Sequence, residues 1–244
     1  MIRFFAEPFD ISADTIRLSE EDSGHIRTLR LRPEEQFIVC DGNGTDYVCK
    51  LGEREDYSIA EISDKYKSHG EPSIKCRVYM AFSKGDRLDY ATQKSVELGA
   101  NEIILFESKR CVAVPRDIAK KIDRLQRIVY ETAKQSGRGI IPTISSGGKF
   151  DNVINEAVKY SDLALLFYEN ENNLHIKKVL ENQLSQSTKS VSVITGPEGG
   201  FEPHEVMLAS SKNIPVVSLG PRILRSETAP VVALAAIMYH TGNL

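Results

Sequence analysis

Two loops rich in glycine and proline near the C-terminus constrain the fold of this chain more than any other feature. The first spans residues 194–205 (ITGPEGGFEPHE) and the second spans residues 219–236 (LGPRILRSETAPVVALAA). Each loop follows an apolar run of β-branched residues and leads into a segment of helical spacing. Open α/β folds bind their ligands where parallel strands end in such loops. The sequence therefore predicts a ligand site formed by both loops at one edge of a sheet.

Beyond residue 72, short apolar runs alternate with segments of helical spacing. The predicted strands cover residues 74–82, 103–106, 163–167, 190–195 and 215–219, and the predicted helices cover residues 88–98, 117–135, 151–160, 174–183 and 229–239. Such alternation is typical of an α/β domain whose parallel sheet is covered on both faces.

The first 70 residues show a different pattern, with short strands and strong turn signals. Strands are predicted at residues 36–40, 45–51 and 57–62, with a turn at 41–44 (DGNG) between the first two. A helix is predicted at residues 23–31, with Ser23 as its N-cap. This pattern predicts a small β-barrel. We expect two domains, residues 1–70 and 73–244, joined through the polar segment 63–72.

The composition excludes several classes of protein. Apolar residues make up 41% and charged residues 27% of the chain, as in ordinary globular proteins. The four cysteines form no C-x-x-C pattern, so we expect neither a zinc site nor disulfides, and we expect a reducing, cytoplasmic setting. We expect no signal peptide and no membrane-spanning segment, because no apolar run is long enough. The net charge of -3 alone predicts no nucleic-acid partner, but clustered basic residues are compatible with RNA.

The two loops also lack the patterns of the common phosphate-binding sites. The segment 196–200 (GPEGG) is not followed by Gly-Lys-Ser/Thr, as a P-loop would be, and it is not a G-x-G-x-x-G fingerprint. Proline stiffens each loop, and glycine permits a close approach of the backbone to a ligand. Such loops suit a nucleotide-like molecule that is read by main-chain groups. The spacing alone leaves the identity of that molecule open.

Both loops closely resemble the signatures of the ribosomal RNA small-subunit methyltransferase E family. Further blocks resemble the same family in the same order: residues 3–5 (RFF), 25–32 (HIRTLRLR), 84–99 (KGDRLDYATQKSVELG), 107–111 (ESKRC) and 131–138 (ETAKQSGR). A lone GPEGG would be weak evidence. The ordered set of blocks spans nearly the whole chain, which makes the resemblance specific.

The resemblance implies a fold and an activity. It implies a PUA-like β-barrel that helps to hold RNA, followed by a SPOUT-type α/β domain with a C-terminal trefoil knot. It also implies a homodimer with the active site at the dimer interface. The implied reaction transfers a methyl group from S-adenosylmethionine to N3 of a uridine, and the implied partner is 16S ribosomal RNA or the small ribosomal subunit.

The resemblance also implies a cofactor site made of three loops, one after each of three strands. The glycines would admit the cofactor, and three apolar side chains would line the pocket for adenine. The expected cofactor contacts are Tyr168, Thr195, Gly196, Glu198, Gly199, Leu219, Gly220, Ile223, Leu224 and Thr228. Tyr168 lies in a segment, FYEN at 167–170, that differs from the short motif of some relatives.

Catalysis in such a site has to dispose of the proton on uracil N3, because N3 is a poor nucleophile while it carries hydrogen. Arg225 is the candidate catalytic residue, since a guanidinium stays charged and offers forked donors to the oxygens O2 and O4. Two interpretations of Glu198 stay open: a general base, or a carboxylate that accepts backbone N–H groups. Its place in a tight loop favours the second. Glu227 opens the last helix, where the helix dipole favours a carboxylate.

Basic residues are the candidates for RNA contacts. Phosphate contacts position an RNA without reading its sequence. The predicted RNA-binding residues are Arg3, Arg27, Arg30, Arg32, Lys84 and Arg87. His25 fits a role in the barrel as well as one in RNA binding.

Several alternatives remain at this point. The same knotted scaffold supports ribose 2′-O-methylation, and an RNA-binding module without catalysis would share much of the pattern. The last helix, residues 229–239, is apolar almost all round, so it has to be buried. A dimer interface and the core of a monomer would both satisfy that requirement.

Overall fold

The computed structural model describes residues 2–52 and 58–244 and divides the chain into two compact units. The first unit contains Met1–Glu71 and Ala133–Ile141, and the second contains Pro72–Thr132 and Pro142–Leu244. The expected domains, residues 1–70 and 73–244, stay a prediction, and they do not include the return of residues 133–141 to the first unit. A segment so distant in sequence carries no local signal of which unit it joins.

The first unit is built on a five-stranded sheet. Its strands are β1 (Arg3–Phe5), β2 (Thr15–Arg17), β3 (Phe37–Cys40), β4 (Thr45–Leu51) and β5 (Ile59–Lys67), in the spatial order β1-β3-β4-β5-β2. Strands β1 and β3 pair in parallel, whereas the other neighbours are antiparallel. Helix α1 (Glu20–Leu29) adds Ile26 to a core that includes Phe4, Ile16 and Phe37, all fully buried.

Two sequence predictions in this unit need correction. Helix α1 begins at Glu20 and its N-cap is Ser19, whose hydroxyl accepts a hydrogen bond from the Asp22 N–H at 3.0 Å. The prediction of Ser23 as the cap is wrong, because three acidic residues already favour a helical first turn before it. Strand β5 continues to Lys67 and so occupies half of the predicted linker. The residues in the second half of the strand are exposed and polar, so this part of the strand resembles a linker in composition. Tyr57, the predicted first residue of this strand, lies outside the described residues.

The second unit contains a six-stranded sheet, and every neighbouring pair of strands is parallel. Its strands are β6 (Lys75–Ala81), β7 (Glu102–Glu107), β8 (Thr143–Lys149), β9 (Leu163–Phe167), β10 (Ser190–Thr195) and β11 (Val216–Val217), in the order β11-β9-β10-β6-β7-β8. Its helices are α2 (Arg87–Glu97), α3 (Ile118–Ser136), α4 (Phe150–Tyr160), α5 (Ile176–Gln183), α6 (Pro203–Ser211) and α7 (Thr228–His240), although α3 enters the first unit at Ala133. The predicted α/β class with a parallel sheet is confirmed.

Strand β8 was not predicted from the sequence. It reads TISSGGK, without an apolar run, because it lies at the edge of the sheet and pairs only with β7. Gly147 lies in this strand where a Cβ would come within 2.8 Å of the side chains of Ile104 and Val153. The glycine that weakens the strand pattern is therefore what lets helix α4 approach the sheet closely.

The order of the strands determines where the site can form. Strand β9 lies between β11 and β10, so the loops that follow these three strands emerge side by side at one edge. The strands are held by a core in which Leu165, Val193 and Ile194 are fully buried. The trefoil knot stays a prediction. Within the described residues, no helix combines the length and apolar character needed to cross a membrane.

Candidate active site

The loops after β9, β10 and β11 enclose a cavity of about 500 Å³. Nine of the ten predicted cofactor contacts line it: Tyr168, Thr195, Gly196, Glu198, Gly199, Leu219, Gly220, Ile223 and Leu224. Arg225 lines it too, whereas Thr228 lies on an adjoining groove. The predicted cofactor and catalytic residues in this cavity are up to 57 positions apart in sequence (168 to 225), and they meet because three parallel strands end together.

The first glycine-rich loop is tightly folded around its glycines. Gly200 has a left-handed backbone, with φ of +68°, and its N–H donates to the carbonyl of Pro197 at 3.0 Å. A Cβ added at Gly200 would overlap the carboxylate of Glu169, and one added at Gly196 would come within 3.2 Å of the Phe201 ring. Phe201 is fully buried and attaches the loop to the core. The glycines therefore permit close packing on both sides of this loop.

A buried carboxylate fixes the far end of the same loop. Glu205 is 3% exposed and accepts hydrogen bonds from the Glu202 N–H at 2.8 Å, the Lys109 N–H at 3.0 Å and the Ser108 hydroxyl at 3.1 Å. With Glu202 it forms the capping box that starts α6. The segment 107–111 thereby contacts the loop. Sequence reasoning missed this role, although the E-x-x-E spacing at 202–205 was a usable signal.

The second loop begins with a sharp turn at Gly220, whose φ is +120°. The hydroxyl of Ser218 accepts the N–H of Gly220 at 3.2 Å, which steadies the turn. At the other end, the carbonyl of Arg225 accepts the N–H groups of Thr228 (2.9 Å) and Ala229 (3.0 Å) at the start of α7. The backbone of Arg225 is thus fixed at the start of a helix, while its exposed side chain faces the cavity.

The three apolar residues expected around adenine differ in exposure. Leu219 and Leu224 are half-buried, whereas Ile223 is 82% exposed. All three line the cavity. In this chain Leu219 and Leu224 therefore offer an apolar wall, and Ile223 lies at its rim.

Arg87, which the sequence assigned to RNA, forms part of the cavity wall. Its guanidinium is ion-paired with Glu198, and its Nε lies 3.7 Å from a carboxylate oxygen of Glu227. Glu198 also accepts the backbone N–H of Lys84 at 2.8 Å. This network joins the segment that contains Lys84 and Arg87, and Glu227 at the start of α7, to the first glycine-rich loop. Its members are far apart in sequence, so no local pattern predicts the network.

The charge state of Glu198 follows from its partners. Partial burial by itself would raise the pKa of Glu198, but the Lys84 N–H and the Arg87 guanidinium together hold that pKa below its usual value. Its carboxylate is therefore ionised at neutral pH and already accepts two donors. This environment favours the interpretation of Glu198 as a structural acceptor over that of a general base.

Among the predicted RNA-binding residues, Arg3 has internal partners. Its guanidinium makes two hydrogen bonds to Asp46, at 2.7 and 2.5 Å, and a third to the carbonyl of Arg138 at 3.2 Å, and only 12% of its side chain is exposed. These contacts disfavour a role for Arg3 in binding phosphate, which stays a prediction. The residues Arg27, Arg30, Arg32 and Lys84 are all exposed.

Other side chains in the cavity were not selected from the sequence. Glu169 follows Tyr168 directly and packs against the backbone of Gly200. Arg222 shares the second loop with Arg225 and also lines the cavity. Among residues 2–52 and 58–244, no group of three or more His, Cys, Asp or Glu side chains is arranged to hold a metal ion.

Comparisons with known proteins agree on one family. The model of an RNA methyltransferase domain matches residues 70–238, and that of an RNA methyltransferase PUA domain matches residues 18–62. The ribosomal RNA small subunit methyltransferase E of Mesomycoplasma hyopneumoniae is 31% identical over 235 residues, 96% of this chain and 97% of the relative. That of Bacillus subtilis is 30% identical over 238 residues, 95% of this chain and 93% of the relative.

A solved structure extends the likeness to the fold. The crystal structure of a ribosomal RNA small subunit methyltransferase E from Neisseria gonorrhoeae, bound to S-adenosyl methionine, superimposes with a TM-score of 0.84. It is 31% identical, and the match covers 98% of this chain and 97% of that one. The resemblance carried by the two loops and the upstream blocks is thus confirmed over the full length. This chain belongs to the ribosomal RNA small subunit methyltransferase E family.

Proposed function

We propose that this protein transfers a methyl group from S-adenosylmethionine to N3 of a uridine in the 16S ribosomal RNA of the small ribosomal subunit. The observation that carries the proposal is the single cavity in which two glycine-rich loops, an apolar wall and Arg225 come together. Family membership supports the reaction class. The cofactor named for the Neisseria relative supports the methyl donor. A cytoplasmic location is part of this proposal, because ribosomal subunits are assembled there.

The residues of the cavity fit S-adenosylmethionine. Leu219 and Leu224 offer apolar surface for adenine, and the glycines at 196, 199 and 220 line the cavity, where they offer main-chain groups to a ligand. Glu169 adds a carboxylate that has no hydrogen-bond or ion-pair partner within the described part of the chain, which suits a cationic or hydroxyl-bearing ligand. When bound, the cofactor supplies a methyl group activated by a sulfonium.

The protein's own contribution to the chemistry is orientation and charge. As uracil N3 loses its proton, negative charge spreads onto O2 and O4, and the Arg225 guanidinium is suited to stabilise it. Glu198 is a poor candidate for the proton acceptor, because Arg87 and the Lys84 N–H already occupy its carboxylate. Arg225 is therefore the residue to which we assign the largest catalytic effect.

The two domains have separate roles in this proposal. Residues 1–70, with their PUA-like sheet, hold RNA, and residues 73–244 bind the cofactor and carry out the transfer. The exposed arginines at 27, 30 and 32 cluster around the end of α1 and are suited to phosphate contacts. Phosphate contacts of this kind would position the substrate without selecting its sequence.

The experiment that tests the function is methylation of small ribosomal subunits from cells that lack the enzyme. With S-adenosylmethionine added, we expect one methyl group per particle, and mass spectrometry of the digested RNA should find it on N3 of a uridine. A methyl group on ribose would identify a 2′-O-methyltransferase instead. If titration calorimetry shows no binding of S-adenosylmethionine, the alternative of a non-catalytic RNA-binding module replaces the proposal.

A homodimer built on α7 is also part of the proposal. One side of this apolar helix is buried in its own chain through Ala233, Leu234 and Ile237, whereas Tyr239 is 77% and Val232 is 37% exposed. An apolar helix face that stays exposed is typical of an interface. The sequence left open whether this helix is buried in the core of a monomer or in a dimer interface. In this proposal one face lies in the core of its own chain and the opposite face forms the interface.

Tyr239→Glu should convert the proposed dimer to a monomer, because it introduces a charge into an apolar interface. We expect the dissociation constant to rise by at least about tenfold, which corresponds to roughly 1.4 kcal/mol. Sedimentation velocity over a range of concentrations measures it. Met207→Glu on α6 is the matched control, since Met207 is also apolar and 64% exposed. A dimer that Tyr239→Glu leaves unchanged would contradict an interface on this face of α7.

A further inference from the structure

The groove that adjoins the cofactor cavity has no role in the proposed function. It has a volume of about 530 Å³ and is lined by Lys84, Asp86, Arg87, Tyr90 and Glu227, with Gly85 and Thr228. Arg87 and Glu227 line both the groove and the cavity. The groove and the cofactor cavity thus share two of their lining side chains.

We propose that this groove binds the target base of the RNA and that Tyr90 is the surface on which that base stacks. The inference rests on the proposed function, and it goes beyond it by locating the substrate base and naming the residue that holds it. The ligand is a pyrimidine base turned out of an RNA strand. No residue for such stacking could be identified from the sequence.

Tyr90 has the position that stacking requires. It lies in the first turn of α2, where its N–H donates to the carbonyl of Asp86 at 3.0 Å, so its backbone is fixed. The side chain is nevertheless 49% exposed. Within residues 2–52 and 58–244, no other aromatic ring and no cation packs on the Tyr90 ring. A flat aromatic face is therefore available to a base, as in proteins that bind single-stranded RNA.

The polar groups of the groove match the edge of uracil. That edge presents an acceptor, a donor and an acceptor at O4, N3–H and O2. The groove offers cationic donors on Lys84 and Arg87 and carboxylate acceptors on Asp86 and Glu227. The two signs of charge balance, whereas a site for phosphate alone would be net positive. Balanced donors and acceptors beside an aromatic face indicate recognition of a base.

Arg87 is held in place before any substrate binds. Its ion pairs to Glu198 and Glu227 fix the guanidinium between the two cavities. Of its five N–H donors, only one on Nη1 donates a hydrogen bond within the described part of the chain. Apart from the Nε donor, which faces Glu227, the remaining donors are available to the carbonyl oxygens of a base. A base that leaves its stack in RNA loses stacking energy, and stacking on Tyr90 would replace part of it.

A fluorescence experiment tests the location directly. The chain contains no tryptophan, so Tyr90→Trp creates a single indole reporter in the groove. We expect unmethylated 16S ribosomal RNA to quench this fluorescence, because a stacked base quenches an indole. Tyr160→Trp is the matched control: Tyr160 is 47% exposed and lines neither cavity. Equal quenching of the two reporters, or no quenching of the Tyr90→Trp variant under conditions where it methylates the RNA, would overturn the inference.

Activity gives an independent readout. Tyr90→Ala should lower kcat/KM for RNA by about 10- to 100-fold, as expected for the loss of one stacked base. Tyr90→Phe keeps the ring and should stay within about threefold of the wild type. Affinity for S-adenosylmethionine and the molecular mass in solution should not change in either variant, and Tyr160→Ala should behave as the wild type.

Each other outcome contradicts the proposal in a distinguishable way. If Tyr90→Ala methylates RNA normally, the stacking role is wrong while the proposed function stands. If Tyr90→Ala loses cofactor affinity or dissociates in proportion to its activity, Tyr90 supports the fold or an interface instead. If the wild-type protein itself transfers no methyl group to RNA, the proposed function fails, and the inference fails with it.

Discussion

Replacing Arg225 with alanine is expected to lower the rate of methyl transfer by about 10²–10³-fold, the usual effect of removing a group that stabilises charge in the transition state. The side chain lines the cavity, and its backbone is fixed at the start of α7 by the N–H groups of Thr228 and Ala229. Its guanidinium is exposed and has no ion-pair partner within the described residues. It is therefore available to the oxygens of a uracil that is losing its N3 proton. Single-turnover kinetics with saturating cofactor measures this step.

Two further variants separate catalysis from binding. Arg222→Ala is the matched control, because Arg222 lies on the same loop, lines the same cavity and is also exposed. We expect it to change the rate by less than about tenfold, since it is not at the helix start. Arg225→Lys keeps the charge but loses the forked donors, so it should recover only part of the rate. If Arg225→Ala loses cofactor affinity as strongly as rate, Arg225 binds the cofactor and its catalytic role is wrong.

The largest expected effect on stability comes from Glu71→Ala. Glu71 accepts two hydrogen bonds from the Arg138 guanidinium, both at 2.8 Å, and one each from the N–H groups of Gly139 (2.9 Å) and Ile140 (3.0 Å). Arg138 is 1% exposed and has the largest fully buried side chain in the described chain. Without Glu71, a buried cation loses two hydrogen bonds and two backbone N–H groups lose an acceptor. We expect the first unit to lose about 3–5 kcal/mol of its free energy of unfolding.

Urea unfolding followed by circular dichroism measures this loss. Glu102→Ala is the control, because Glu102 also pairs with an arginine, Arg77, but its side chain is 40% exposed. An exposed pair of this kind contributes less than about 1 kcal/mol. If the two substitutions destabilise the protein equally, the pair between Glu71 and Arg138 does not hold residues 133–141 in the first unit.

The elements that the sequence predicted well are those with an unambiguous pattern. Strands β4, β9 and β10 have the predicted bounds, because each is an apolar or alternating run between turn residues. Helix α3 ends beside Gly137, whose φ of +75° suits the end of a helix. Strand β8 and the end of β5 were missed, because edge strands and exposed strands share the composition of loops.

The candidate site was predicted in part. The two glycine-rich loops were predicted because glycine and proline occur where the backbone needs particular dihedral angles, and both residues are recognisable in the sequence itself. The network of Arg87 with Glu198 was not found, because 111 positions separate its members. Tyr90 could not be distinguished from an ordinary helical tyrosine, since its significance depends on the groove beside it.

The sequence by itself determined the α/β class, the two loops and the family. Each of these depends on local spacing or on ordered blocks along the chain. The tertiary structure decided which side chains share a cavity: parallel pairing of β9, β10 and β11 brings three loops together, and packing brings Arg87 and Tyr90 beside them. It also decided that the apolar helix α7 is buried on one side only. Spacing along a chain predicts its elements, but proximity between elements depends on how they pack.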